Sequence, residues 1–108
     1  MATHKKAAVR VRSVRGLLRS PKAWCKHSYA KNANGCDTPA QSKDAVTFCL
    51  AGALDRIYGS MYSRKKDSAY DRLCKYLKRH YGTGIVGFND RSSTTHAKVL
   101  KVCRAVKI

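Results

Sequence analysis

The distribution of charge along this chain leaves one stretch well suited to forming a buried core. Residues 32–60 carry only two basic and three acidic side chains and are close to neutral. The other basic side chains lie in the flanking segments, and the whole chain has a formal net charge of +17 over 108 residues. We therefore expect the near-neutral centre to be buried and the charge to lie on the surface of the flanking segments.

Apolar residues at helical spacing predict an all-α fold. We predict helices over residues 6–19, 43–58 and 66–81, and a last helix that begins near Thr94 or Thr95. No alternating strand pattern of any length accompanies them. The length of the chain suits one compact domain spanning residues 1–108, built from about four helices.

Two long connections and a basic tail complete the predicted architecture. Residues 20–42 and 82–93 lack sustained periodicity and are predicted to be irregular. Within the second connection, residues 85–88 are apolar and bounded by glycine, which indicates a short strand or an extended loop. Residues 1–5 are expected to form a flexible basic tail.

The predicted core combines the apolar helix positions with one aromatic anchor in the first connection. Gly52 lies in a thin part of the second helix and is expected to touch another backbone element. We expect the following side chains to be mostly buried, with no disulfide among the cysteines: Trp24, Phe48, Cys49, Leu50, Ala53, Leu73, Leu77, Leu100 and Cys103.

The excess of positive charge predicts a polyanionic partner, most simply nucleic acid. One stripe of arginines is predicted on the first helix and a second basic stripe on the third helix. Lysine and arginine contacts to phosphates would make binding sensitive to salt and weakly selective for sequence. The candidate contact residues are Arg12, Arg15, Arg19, Lys26, Arg64, Lys65, Arg72, Lys75 and Arg79.

Tyrosines are interleaved with the basic residues of the third helix and the segment before it. Rings beside cations suit a ligand that has both phosphates and bases. Tyrosines also pack at the edge of a core with the hydroxyl in water, and we expect this for most of them. Tyr62 and Tyr76 are the candidates for exposure.

A second candidate anion site lies in the polar run before the last helix. Free backbone N–H groups at a helix start, together with hydroxyls and a guanidinium, can hold a phosphate. Ordinary helix capping explains the same residues. The candidate residues of this alternative site are Asn89, Arg91, Ser93, Thr94 and His96.

The sequence lacks the usual signatures of an enzyme, a metal site or a cofactor site. It contains no phosphate-binding loop, no dinucleotide-binding glycine motif and no zinc-protease motif. Cys25, His27 and Cys36 match no standard zinc spacing. We expect a non-enzymatic protein without metal or cofactor. With no apolar run of membrane-spanning length and no secretory signal, we expect it in the cytoplasm and away from membranes.

Several short pieces of the sequence occur in the same order in a known family. They are Trp24-Cys25, the run Phe48-Cys49-Leu50-Ala51-Gly52-Ala53-Leu54, Phe88-Asn89-Asp90 and Val99. In these pieces the chain resembles a family of small bacterial and phage proteins that share a domain of unknown function. The resemblance implies a small helical domain and supplies no activity. It leaves open a second hypothesis, a phage counter-defence protein that binds an acidic host protein or a nucleotide signal.

Overall fold

The computed structural model describes residues 11–59 and 64–108. In these residues the chain forms five helices and one small sheet. The helices are α1 (Val14–Leu17), α2 (Leu50–Tyr58), α3 (Arg64–Tyr81), α4 (Ile85–Asp90) and α5 (His96–Val106). A 3-10 turn spans Pro21–Ala23, and the strands β1 (Ala30–Lys31) and β2 (Thr47–Phe48) pair antiparallel, with Ala30 opposite Phe48. The all-α class is confirmed, with five helices in the described residues instead of about four. The predicted tail, residues 1–5, and Tyr62, a candidate for exposure, lie outside them.

The longest helix, α3, organises the packing. It contacts α2, α4 and α5, while α1 packs against α2 and α5. Ala69, Leu73 and Leu77 recur every four residues along α3 and are buried, so they form its inner face. The helix ends where Gly82 adopts a positive φ of 68° and donates its N–H to the carbonyl of Lys78. The predicted third helix is confirmed.

The second helix is shorter than its periodicity predicts. The prediction over residues 43–58 is wrong for the first half, because β2 pairs with β1 and the helix begins only at Leu50. Cys49 caps it, and its thiol accepts a hydrogen bond from the Gly52 N–H at 3.3 Å. Val46, an apolar residue within the predicted helical range, is 48% exposed. Pairing with a distant strand therefore overrides the local helical spacing.

The first helix is also shorter than predicted. The predicted range is residues 6–19, and its first part lies outside the described residues. In the rest of the range, only α1 is helical. Ser13 has an extended backbone, and its hydroxyl accepts a hydrogen bond from the Gly16 N–H at 2.9 Å. A serine in this role starts a helix and does not continue one. Arg12 and Arg19 consequently lie outside α1, and the predicted arginine stripe does not form on one helix face.

The apolar run after α3 folds as a helix and not as a strand. The prediction of a strand or extended loop over residues 85–88 is wrong, because α4 occupies this stretch. Ile85 and Phe88 are three residues apart, which places both side chains on one helix face, and both are buried. This face packs between α2 and α3. A short apolar run does not distinguish a strand from a buried helix, since burial on one face suits both.

Most of the predicted core is confirmed. Trp24 and Leu100 are half-buried and pack against the core, while the other predicted core residues are buried. All five cysteines are free thiols. The last helix begins as predicted, because the Thr95 hydroxyl caps α5 by accepting a hydrogen bond from the Lys98 N–H. The core therefore follows the helical spacing even where the helix bounds do not.

The predicted close approach at Gly52 is confirmed. A methyl group at this position would overlap the backbone carbonyl oxygen of Tyr29 and lie 2.8 Å from the carbonyl carbon. Tyr29 immediately precedes β1, and its carbonyl accepts a hydrogen bond from the Cys49 N–H at 3.1 Å. Glycine at this position therefore allows the start of α2 to lie directly against the backbone of the first connection.

Replacing Gly52 with Ala should lower the free energy of unfolding by about 1–3 kcal/mol, because the added methyl group forces the backbone at Tyr29 to move. Gly84→Ala is the matched control, since nothing lies within 4 Å of its added methyl group and its φ is −86°. Gly84 is the N-cap of α4, where alanine is less favourable than glycine, so the control should lower stability by no more than about 1 kcal/mol. Urea unfolding measures both, and equal stability of the two variants would contradict the close approach.

Candidate nucleic-acid interface

A row of cations runs along one face of α3. Lys65, Arg72 and Arg79 are seven residues apart, so they recur after nearly two full turns on the same side of the helix. All three are exposed. At a rise of 1.5 Å per residue, the row extends over about 21 Å. The predicted basic stripe on the third helix therefore forms, and it begins before Arg72.

Three adjoining surface grooves extend this row towards α5 and α1. The first groove has a volume of about 280 Å³, the central groove about 490 Å³ and the third about 290 Å³. Arg72 lines the first two grooves, and Lys107 lines the last two. Among residues 11–59 and 64–108, no acidic residue lines any of the three. We define the cationic face as the exposed basic residues that line these grooves: Arg15, Arg64, Lys65, Arg72, Lys75, Arg79, Arg104 and Lys107.

Arg72 also joins the two helices that carry the cationic face. Its guanidinium donates from Nε to the Val106 carbonyl at 3.0 Å and from Nη2 to the Lys107 carbonyl at 3.4 Å. These carbonyls belong to the C-terminal end of α5, where the helix dipole favours a positive charge. A third hydrogen bond runs from Nη1 to the Ser68 hydroxyl at 2.6 Å. Arg72 therefore has a structural role in addition to its charge.

The charge of Lys75 is partly offset by a neighbouring carboxylate. Lys75 Nζ lies 3.1 Å from Asp71 Oδ2, one helical turn away on α3. Both side chains are largely exposed, at 78% and 61%, so solvent weakens this ion pair. Lys65, Arg79 and Arg104 are therefore better suited than Lys75 to test the electrostatics of the cationic face.

The structure brings together most of the predicted nucleic-acid contacts. Arg15, Arg64, Lys65, Arg72, Lys75 and Arg79 all lie on the cationic face. Arg12, Arg19 and Lys26 line none of its three grooves. The half-buried Lys26 instead donates from Nζ to the Arg91 carbonyl at 2.7 Å and lies 5.6 Å from the centre of the Trp24 ring.

Sequence reasoning missed two residues of the cationic face. Arg104 lies in the last turn of α5 and Lys107 directly follows the helix, three residues later, and both are exposed beside buried neighbours. That spacing predicts an outward basic pair. Their place beside the α3 row depends on the packing of α5 against α3, which the sequence pattern of α5 alone does not indicate.

Asn89, proposed from sequence as part of the alternative anion site, is instead the centre of a buried hydrogen-bond hub. Its Oδ1 accepts hydrogen bonds from Trp24 Nε1 at 2.7 Å and from the Leu50 N–H at 3.0 Å. Its Nδ2 donates to the Cys25 carbonyl at 3.0 Å and to Asp90 Oδ1 at 2.9 Å. All four hydrogen-bonding positions of the amide are therefore occupied, as a fully buried amide requires.

Asp90 places a negative charge beside this hub. Partial burial raises the pKa of its carboxyl group, but hydrogen bonds from the His27 N–H and from Asn89 outweigh that effect and, with the nearby charges of His27 and Lys26, hold the pKa below its usual value. His27 Nδ1 lies 3.6 Å from Asp90 Oδ2. The carboxylate is thus ionised at neutral pH, which disfavours an anionic ligand beside Asn89.

The other side chains of the alternative anion site also make internal contacts. Arg91 donates to the Tyr81 carbonyl at 3.1 Å, and His96 Nε2 lies 2.6 Å from the Leu18 carbonyl oxygen. Thr94 is buried at 4% exposure. The exposed Ser93 uses its backbone carbonyl to accept a hydrogen bond from Lys98 Nζ. The capping and packing roles of this segment therefore account for its polar residues.

We find no further candidate site for a reactive thiol or a metal ion in the described residues. Burial raises the pKa of the Cys25 thiol and that of Cys49, and it raises the pKa of Cys103 to about 12. A raised pKa disfavours the reactive thiolate. Residues 11–59 and 64–108 contain no cluster of three or more potential ligands that could hold a metal ion. Over the same residues, no helix combines the length and apolar character that a membrane crossing requires.

Comparison with known proteins places the chain in a family. The chain belongs to a family of unknown function, DUF6197, whose model matches residues 2–107. The match confirms the resemblance to a family defined by a domain of unknown function. No curated protein and no solved structure matches the chain.

Replacing Asn89 with Asp should lower the free energy of unfolding by about 3 kcal/mol. The amide NH2 group that donates to Asp90 and to the Cys25 carbonyl is replaced by a carboxylate oxygen, which buries a negative charge beside two acceptors. Asn34→Asp is the matched control, since Asn34 is exposed. It should alter stability by less than about 0.5 kcal/mol. Chemical denaturation compares the two variants, and an Asn89→Asp protein as stable as the parent would rule out the hub.

Proposed function

We propose that this member of a family of unknown function is a non-enzymatic protein that binds nucleic acid through the phosphate backbone. The observation that supports this function best is the cationic face. In the described part of the chain, it has eight exposed basic residues around three connected grooves, and no acidic residue lines these grooves. Exposed cations on one side of a domain repel one another and disfavour folding slightly. A polyanionic partner offsets that repulsion.

The dimensions of the α3 row suit a nucleic-acid backbone. The row extends over about 21 Å. Successive phosphates of one strand in a duplex are about 3.4 Å apart along the axis, so the row spans about six of them. Neutralising phosphates releases condensed counterions, which drives binding and makes it sensitive to salt.

The chemistry of the cationic face favours weak sequence preference. Asparagine and glutamine have amides that pair with the edge of adenine, and none of those in the described residues lines any of the three grooves. The polar groups that face the ligand are mostly ammonium and guanidinium groups on long side chains. Such groups contact phosphates in any sequence, and they read a base directly only where they reach the edge of a guanine.

The alternative proposal gives the same charge a different partner. In this alternative, a cytoplasmic protein of bacterial or phage origin counters a host defence by binding an acidic protein surface or a nucleotide signal. A discrete nucleotide would engage one groove and leave the rest of the cationic face unused. A thermal-shift panel of nucleotides separates the two: a large shift with one nucleotide, in a protein that does not bind DNA or RNA, favours the alternative.

Replacing Lys65, Arg79 and Arg104 with Gln should weaken binding to DNA of any sequence, because three phosphate contacts are lost. The slope of log affinity against log salt concentration should fall by about three, one unit for each contact. Fluorescence anisotropy at several salt concentrations measures this slope. The melting temperature should stay close to that of the parent, because exposed charges contribute little to stability.

In the matched control, Gln replaces three exposed lysines that line none of the three grooves: Lys22, Lys43 and Lys98. It causes the same loss of net charge, so it separates the effect of the cationic face from that of overall charge. We expect a smaller loss of affinity and a nearly unchanged salt slope. If the two triple variants weaken binding equally, the cationic face is not the binding site.

A further inference from the structure

The central groove differs from its two neighbours because it contains a pair of aromatic rings. Tyr76 and His80 lie one turn apart on α3, and their ring centres are 4.2 Å apart with an angle of 35° between the ring planes. Tyr76 is half-buried and packs against the core, whereas His80 is exposed. The pair is thus a ring platform held by the core at one end and open to solvent at the other.

Cations and an apolar wall surround this platform. Arg72 comes from α3, and Lys107 follows the end of α5 on the opposite side of the groove. Ala105 and Val106 of α5 line the same groove. At about 490 Å³, the groove is the largest of the three that form the cationic face. The groove therefore offers ring stacking and apolar contact between two sources of positive charge.

We propose that the central groove binds an unstacked base of single-stranded nucleic acid, with the base against the Tyr76–His80 pair and the flanking phosphates on the surrounding cations. This inference rests on the proposed function and narrows it to a class of nucleic acid. Bases stack on aromatic side chains with little regard to sequence, since every base has a π-face. Stacking therefore adds affinity while the weak sequence preference is kept.

A duplex cannot use the platform without an energetic cost. Its bases are stacked and paired, so exposing a base face requires that the base be flipped out of the helix. A single strand already presents unstacked bases. The phosphates of both forms meet the same cations. The cationic face alone would thus bind either form, and the ring pair favours the single strand.

Fluorescence anisotropy with three labelled ligands tests the inference: oligothymidylate, an abasic strand of equal length, and a duplex. Tyr76→Leu should weaken binding of oligothymidylate about tenfold, since the stacked base loses its ring partner. Its affinity for the abasic strand and the duplex should equal that of the parent. Tyr76→Phe keeps the ring and is the matched control, expected to bind oligothymidylate like the parent. Oligouridylate in parallel distinguishes DNA from RNA as the source of the single strand.

His80→Ala provides a second variant, since His80 is exposed and its loss leaves the core intact. It should weaken oligothymidylate binding without changing duplex binding. If Tyr76→Leu fails to fold, this variant still tests the inference. Unchanged affinity of both variants for oligothymidylate, with salt-sensitive binding of all three ligands retained, overturns this inference and leaves the proposed function standing. If the parent binds none of the three ligands at low salt, both are overturned.

Discussion

The arrangement of the described chain depends on one buried amide, that of Asn89. Its four hydrogen bonds connect the first connection at Trp24 and Cys25, the start of α2 at Leu50, and the end of α4 at Asp90. A buried amide without partners would be costly, so these elements are held in one relative position. Three of the four pieces of sequence that carry the family resemblance meet at this hub, which gives them a structural role, while Val99 lies in α5.

The sequence predicted the parts of the fold that are set by local spacing. The extent of α3 follows from apolar residues on one face, as does most of the core, and the start of α5 follows from its capping residues. The sequence pattern failed at α2 because a distant partner decides: β2 forms because β1 lies beside it, which shortens α2. It failed at α1 for a local reason, since the Ser13 cap starts this helix later than the apolar pattern suggests. Asn89 resembled a capping residue because its partners at Trp24 and Leu50 are far away in sequence.

The candidate site is also predicted in part by local spacing and depends in part on packing between helices. The periodicity of α3 placed Arg72 and Arg79 on one exposed face, as the structure has them. The packing of α5 on α3 then adds Arg104 and Lys107, and no pattern within either helix predicts that neighbourhood. The hub lies at the other predicted site, so the residues from Asn89 to His96 hold the fold together while the cationic face remains open to a ligand.

The central claim is that the cationic face contacts nucleic acid and the hub does not. Nuclear magnetic resonance tests it most directly, by following the backbone amides of isotope-labelled protein as a single-stranded oligonucleotide is added at low salt. The account predicts that the shifting amides cluster on the exposed face of α3 and at the C-terminal end of α5. Shifts concentrated around Asn89 and His96, or no shifts at all, would contradict it.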